Sequence, residues 1–371
     1  MRRTVLLLAA ALLAPPAPAA EPVRIGLMAP LTGSWASEGL EMRRTVELLA
    51  AGVNAKGGLL GRKVEVVVED DGGDPRTAAL AAQRLASRGV VAVVGTYGSS
   101  VTEAAQGILD EAEVVHVANG STAIRLTAKG LPLFFRTCPR DDEQARVAVK
   151  ALAATGARRV AIVHDSTSYA KGLADEARKG LGAAGLALAA FETVTPGERD
   201  VTTVLTKLKS AKPDVVFFCG YYPEAGLLLR QRREMGWNVP FIGGDANNNP
   251  DLVKVAGKVA AEGFLCLSPP LPQDLDATEA KAFLAAYRAK HGAVPGSIWG
   301  VLAGDAFRVL AKAVETARTT EATKVAAALR SSVKDFPGLT GKIAFDAKGD
   351  RVGDVYRVYR VDGAGAFVLA K

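Results

Sequence analysis

The chain has 371 residues, with 46 Lys and Arg against 39 Asp and Glu and a formal net charge of +7. Hydrophobic residues make up 49% and charged residues 23%, the mixture of an ordinary globular protein. A disordered chain, a collagen-like chain and a disulfide-stapled miniprotein are thereby excluded, and the length suits about two domains, each large enough to bury its own core.

The N-terminus reads Met1-Arg2-Arg3, then the apolar run Val5 to Ala14, then Pro15, Pro16 and the small residues Ala17-Pro18-Ala19-Ala20. A basic start, a short apolar run and small residues at a cut site describe a secretory signal peptide over residues 1–20, cleaved after Ala19 or Ala20. The run is too short to span a bilayer, which needs about 20 apolar residues. No Cys near the cut offers a lipid anchor, and no later segment is long and apolar enough to span. The mature chain is therefore expected to be exported and soluble. Without Arg2 and Arg3 the balance is 44 against 39, or +5.

After the signal, short apolar runs alternate with longer helical segments. The runs are Val23–Met28, Val64–Val68, Val90–Val94, Val114–Val117, Val160–Val163, Val215–Phe218 and Phe241–Ile242. They are rich in Val, Ile and Phe, as strands buried on both faces are. Between them, Glu38–Ala55, Pro75–Ser87, Asp141–Ala154, Tyr169–Ala184 and Val201–Lys209 carry helical spacing. Asp74-Pro75 is a helix start, with Asp as cap and Pro in the first turn. The alternation predicts parallel sheets with helices on both faces.

One βα run extends to about Thr137 and a second from about Asp141 to Leu267. The stretch Asp276 to Arg330 is nearly all helical. Strands return at Lys342–Phe345, Val355–Val361 and Phe367–Leu369, and the Pro-rich Ser268–Pro272 reads as a linker. The predicted fold is α/β: two doubly wound, Rossmann-like lobes joined by several crossings. Ligands of such sheets bind at the carboxyl ends of strands, hence between the lobes.

No dinucleotide fingerprint, P-loop or nucleophile elbow is present. The three histidines, His116, His164 and His291, are far apart and lack metal-ligand spacing. No enzyme activity, cofactor or metal is expected. Cys219 and Cys266 read as small core residues; with Cys138 they allow at most one disulfide. The strand ends carry the polar residues. Val94 leads into Gly95-Thr96-Tyr97-Gly98-Ser99-Ser100, and the next strand ends in Asn119-Gly120-Ser121-Thr122. Glycines permit close backbone approach, and a helix start with free N–H groups favours an anion such as a carboxylate. Ser99 or Ser100 as a plain N-cap is the alternative. In the second half, Asp165–Tyr169, Gly220–Glu224 and Gly243–Asn247 follow strands. Asp245 is suited to an ammonium or to capping the helix after Pro250. Tyr169 and Tyr221 are suited to closing over a ligand or to packing at a lobe surface.

In this order the loops resemble those of the leucine/isoleucine/valine-binding protein family, the type I periplasmic solute-binding proteins of ABC importers. The markers are Arg24-Ile25-Gly26, Leu31-Thr32-Gly33, Asn54-Ala55-Lys56-Gly57-Gly58, Glu69-Asp70-Asp71, Ala161-Ile162-Val163-His164-Asp165, Gly220-Tyr221 with Pro223-Glu224, and Phe345-Asp346 with Gly349-Asp350. The resemblance implies two lobes joined by a three-crossing hinge. Residues 21–140 plus 269–341 would form lobe 1, and 141–268 plus 342–371 lobe 2. It implies that Ser99 and Thr122 bind an α-carboxylate, that the Gly120 carbonyl and Asp245 accept from an α-ammonium, and that Tyr169 and Tyr221 clasp the solute. It also implies a monomer in the periplasm that delivers a small amino acid, of branched-chain or related type, to an inner-membrane permease.

The chain departs from the family pattern in three places. Asp245 is a methylene shorter than the family's Glu. The family's first-lobe disulfide positions read Gly73 and Gly98. Glu38 stands where the family has a Tyr, with Trp35 and Tyr97 as further candidate pocket residues or as packing beneath the loop. Glu38 would favour a polar ligand at the rim or face solvent. The alternatives are a non-amino-acid solute (a short amide, urea or an aromatic acid) and the sensing domain of a receptor. The Lys and Arg residues interleave with Asp and Glu on the predicted helices without a clustered basic patch, so no nucleic-acid partner is expected.

Overall fold

The computed structural model describes residues 20–353 and 355–370; the expected signal segment up to Ala19 lies outside them. In chain order the first half runs β1 (Val23–Ala29), α1 (Ala36–Ala55), β2 (Val64–Asp70), α2 (Pro75–Ser87), β3 (Ala92–Val94), α3 (Ser99–Glu111), β4 (Val115–Ala118), α4 (Arg125–Ala128) and β5 (Phe134–Arg136). These strands form one parallel sheet in the order β2-β1-β3-β4-β5. Val23, Ile25, Leu27, Val94 and Val117 are fully buried in it, as a sheet covered on both faces requires. Asp74 caps α2, its carboxylate accepting from the Arg76 and Thr77 N–H groups.

The second run is α5 (Asp141–Ala154), β6 (Arg159–His164), α6 (Ser168–Leu181), β7 (Ala187–Thr193), α7 (Thr202–Ser210), β8 (Val215–Cys219), α8 (Tyr222–Glu234), β9 (Phe241–Gly243), α9 (Asp251–Ala256), α10 (Lys258–Ala261) and β10 (Leu265–Ser268). Then come α11 (Thr278–His291), α12 (Ile298–Ala317), α13 (Ala322–Ser332), the short hairpin β11 (Phe336–Gly338) and β12 (Gly341–Ile343), and finally β13 (Arg357–Val361) and β14 (Phe367–Leu369). The second sheet has the order β14-β13-β10-β9-β8-β6-β7. It is parallel from β7 to β10, and the tail adds β13 and β14 antiparallel at its edge. Two Rossmann-like α/β sheets with helices thus stand side by side, as the alternation predicts.

Helix α12 packs along α1 and under β3 and β4, so the helical block returns to the first sheet. The chain stays there through Asp350: Gly349 O accepts from Arg136 N, and the Asp350 carboxylate meets the Arg136 guanidinium at 2.5 Å. Among the described residues no helix is long and apolar enough to cross a membrane. Cys138, Cys219 and Cys266 are buried free thiols. His116 is buried in β4 with Nε2 2.6 Å from the Gly95 carbonyl, and burial pushes its pKa down to about 4. It is a core residue, as its place in an apolar run implies.

Candidate ligand site at the seam of the two lobes

The loops that follow β3 and β4 meet. No side chain caps α3, which starts at Ser99 after Gly98. The Ser99 hydroxyl accepts from Ala123 N at 3.2 Å, so it joins the two loops and does not act as a cap. Ser100 reaches across the seam instead: its hydroxyl accepts from Ser168 N at 3.0 Å. The turn after β4 is held from below. Buried Arg136 donates to the carbonyls of Ser121 and Ala123, and Asp141 N donates to the Thr122 carbonyl. Thr122 is fully buried, and its Oγ1 has no hydrogen-bond partner among the described residues.

From the other side come β6, β8 and β9 with their loops. Tyr169, Tyr221 and Asp245 are all buried. Asp245 opens a single 3₁₀ turn, Asp245–Asn247. Its carboxylate accepts from the Tyr356 hydroxyl at 2.7 Å and does not cap the helix after Pro250. Gln144 links the group: its Oε1 accepts from Asp245 N and the Tyr169 hydroxyl, and its Nε2 donates to Asp141 and Tyr356. Two carboxylates, Asp141 and Asp245, are therefore buried close together. Desolvation pushes Asp245 up to about 6. Burial and then the Asp245 charge hold Asp141 well above the usual carboxylate range. Such a pair favours a cation between its members.

The aromatic residues close the seam. The Trp35 ring lies 4.1 Å from that of Tyr221, tilted by 33°, and meets Tyr97 edge-on at 5.5 Å. Tyr97 also stands edge-on to Tyr221 and Trp299, and Tyr169 packs on Tyr221. Offset and edge-on pairs of this kind are attractive. Gly120 fits under Tyr97, because a Cβ there would sit 2.8 Å from its ring. A cavity of about 240 Å³ opens beside Trp35, lined by Gly72, Gly73, Asp165, Thr167, Tyr221 and Glu224 among others.

Glu38 is not at a solvent-facing rim. It is fully buried, and its carboxylate accepts from Asn249 Nδ2 at 2.7 Å and from the Ser297 hydroxyl at 2.5 Å. Asn249 belongs to the second run and Ser297 to the first sheet's helices, so Glu38 spans the seam. Desolvation and the nearby Glu41 push it up to about 8.

The structure thus brings all nine sequence-derived candidates, Trp35, Glu38, Tyr97, Ser99, Gly120, Thr122, Tyr169, Tyr221 and Asp245, to one seam. Sequence reasoning missed Asp141, Gln144, Asn249, Trp299 and Tyr356. Asp141 and Gln144 lie three apart in the first turn of α5, a spacing that does put them on one helix face. Tyr356 carries no local signal. A roomier groove of about 510 Å³ lies between α1, α11 and α12, lined by Leu48, Val53, Phe283 and Phe307. It holds none of these residues.

Two Rossmann-like lobes with converging strand ends define the class: a two-lobed solute-binding protein. The chain belongs to the periplasmic binding protein family, whose sequence profile matches residues 22–366. It is 36% identical over 353 residues to the Leu/Ile/Val-binding protein BraC3 of Rhizobium johnstonii, covering 94% of both chains. It is also 36% identical over 344 residues to the leucine-, isoleucine-, valine-, threonine-, and alanine-binding protein of Pseudomonas aeruginosa, covering 92% of this chain and 90% of that one. The leucine-binding protein LivK of Thermotoga maritima superposes with a TM-score of 0.88 at 29% identity, over 94% of this chain and 98% of the other. LivJ of Streptococcus pneumoniae, solved with isoleucine, gives 0.85 at 29% identity, over 94% and 100%.

Proposed function

We propose that this chain is the solute-binding component of an ABC importer. It captures a small α-amino acid, of branched-chain or related type, between its lobes and delivers it to an inner-membrane permease. The observation that carries the proposal is the pairing across the seam. On the first-lobe side, the uncapped start of α3 at Ser99 and the Thr122 turn offer N–H and hydroxyl donors to a carboxylate. Facing them, the buried Asp245 and Asp141 carboxylates offer acceptors to an ammonium, joined by the Gly120 carbonyl from the first-lobe side. A zwitterion supplies both charges. The names of the relatives support the amino acid as solute.

Tyr169 and Tyr221 clasp the solute, while Trp35, Tyr97 and Glu38 border its side-chain end. In place of the expected boundary at residue 341, residues 21–140 with 269–352 act as lobe 1 and residues 141–268 with 355–370 as lobe 2, joined at three crossings, because Arg351 donates to the Thr137 carbonyl and Val352 N to that of Ala344. The third crossing comes after Val352. Closure is a hinge motion, and no covalent step is assigned. The protein works in the periplasm as a monomer, after cleavage past Ala19 or Ala20.

A thermal-shift screen of the mature protein, refolded to strip bound solute, tests the reading. At 100-fold excess over Kd a true ligand adds about 2.7 kcal/mol of stability. A shift with one or more α-amino acids is expected. A shift with amides, urea or aromatic acids, and with no α-amino acid, overturns the amino-acid assignment.

A further inference from the structure

Beyond the main-chain end of the site, three of the buried polar atoms at the seam have no hydrogen-bond partner among the described residues. They are Tyr97 Oη, Trp299 Nε1 and Asn119 Oδ1, on side chains at most 1% exposed. They are neighbours. The Tyr97 ring stands edge-on to Trp299 with centroids 5.7 Å apart, and Asn119 Nδ2 donates to the Trp299 carbonyl at 3.0 Å. The Tyr97 ring also meets Trp35 at 5.5 Å and Tyr221 at 5.7 Å, both edge-on, which places it at the seam. Gly120 and Trp35 hold the ring in that pose from two sides.

These atoms comprise an indole donor, an amide acceptor and a hydroxyl that is both. A buried donor or acceptor left unmade costs the full desolvation of that group, about 1–3 kcal/mol. A site built to hydrogen-bond its substrate rejects the analogue that lacks the group much more strongly than an apolar pocket rejects an extra hydroxyl. A leucine, isoleucine or valine side chain would leave all three atoms unpaired. A hydroxyl or primary amide carries a donor and an acceptor in one compact group.

We propose that the side-chain end of this site selects an amino acid whose side chain bears a hydroxyl or an amide over the purely aliphatic amino acid of the same shape. The inference rests on the amino-acid reading above and narrows it, with Tyr97 and Trp299 as the specificity-determining residues.

The test uses isosteric pairs, titrated by calorimetry into the full mature protein after removal of bound solute. The pairs are L-threonine against L-valine and L-asparagine against L-leucine. The polar member of at least one pair should bind tenfold or more tighter, about 1.4 kcal/mol. Tyr97→Phe and, separately, Trp299→Phe should bring that ratio toward one. If valine and leucine bind as tightly as threonine and asparagine, or tighter, the inference is overturned while the amino-acid reading stands. If no α-amino acid binds and another solute does, both fall. The wild-type comparison needs no variant, so a misfolded Tyr97→Phe protein would not shield the proposal.

Discussion

Trp35 is wedged between two glycines. A Cβ added at Gly98 would lie 2.8 Å from the indole, and one at Gly73 2.7 Å from it. These are the two positions where the resemblance leads one to expect a disulfide. The indole therefore fills the space between the β2–α2 loop and the start of α3, and its free face packs on Tyr221. Gly73 also sits at φ +69°, which a side chain would strain, whereas Gly98 has an ordinary φ of −86°. Gly98→Ala thus isolates the steric effect. It should cost about 1–3 kcal/mol by overpacking, and most of that cost should vanish in the Trp35→Ala background. Urea unfolding of the four proteins of the double-mutant cycle measures the coupling; additive effects would mean the contact is not what the glycines serve. Asp245→Ala removes the proposed ammonium partner and should weaken an α-amino acid by about 2–5 kcal/mol, read by calorimetry. Unchanged affinity would reject the assignment. The place of Ser99, Thr122 and Asp245 at the seam was legible in the sequence because strand ends announce themselves locally. Tyr356 was not, because its bond to Asp245 spans 111 residues and exists only through the antiparallel tail strand.

At the level of elements, α1 presents Glu38 and Glu41 on one face toward the loop before α12. Glu41 accepts from the Gly296 and Ser297 N–H groups, while Glu38 takes the Ser297 hydroxyl and Asn249 from the facing lobe. Asp251 adds negative charge to this cluster, and Arg44 offers the nearby positive one. Burial raises Glu38 from 4.5 to about 8 and Glu41 to about 7. The folded protein then holds protons that the unfolded chain has released. The stabilisation is complete below the unfolded value and is lost as pH rises through the folded one. Asp71, raised to about 7 by burial, has the same sign. His116, held neutral, works the other way but only below about pH 6.5. The melting temperature should therefore fall between about pH 6.5 and 8.5, and Glu38→Gln should flatten that slope. Circular dichroism melts across this range check it, and an unaltered slope in the variant would assign the titration elsewhere. Most of the elements on which this rests were readable: α2 and α5 have the bounds that their spacing predicts. Strand β7 was not, because Ala187–Thr193 is an edge strand, partly exposed and rich in Ala, with neither the β-branched run of a central strand nor a clean alternation.

The whole molecule joins its two sheets at few places, and one junction is built on a buried charge. Arg136 ends β5, is fully buried, and donates to Asp350 Oδ1, the Thr127 hydroxyl and the carbonyls of Ser121 and Ala123. Arg140, at the first crossing, binds the other Asp350 oxygen at 3.0 Å. Asp350 thus fastens the last stretch of chain before the third crossing to the residues that lead into the first. Through Arg136 it also fixes the Ser121–Ala123 turn that borders the candidate ligand site. Sequence alternation foretold two sheets, but it could not show that the chain still packs on β5 at Asp350, since that depends on an ion pair 214 residues apart. Removing one partner of a buried pair leaves an uncompensated charge, which typically costs about 3–5 kcal/mol. Asp350→Ala should therefore lower the unfolding free energy by about that amount and weaken solute binding through the displaced Thr122 turn. Asp350→Asn keeps one acceptor for Arg136 and should cost less on both counts. Urea unfolding gives the first quantity and calorimetry the second. A destabilised Asp350→Ala protein with unchanged solute affinity would mean that Arg136 positions the turn without help from this carboxylate.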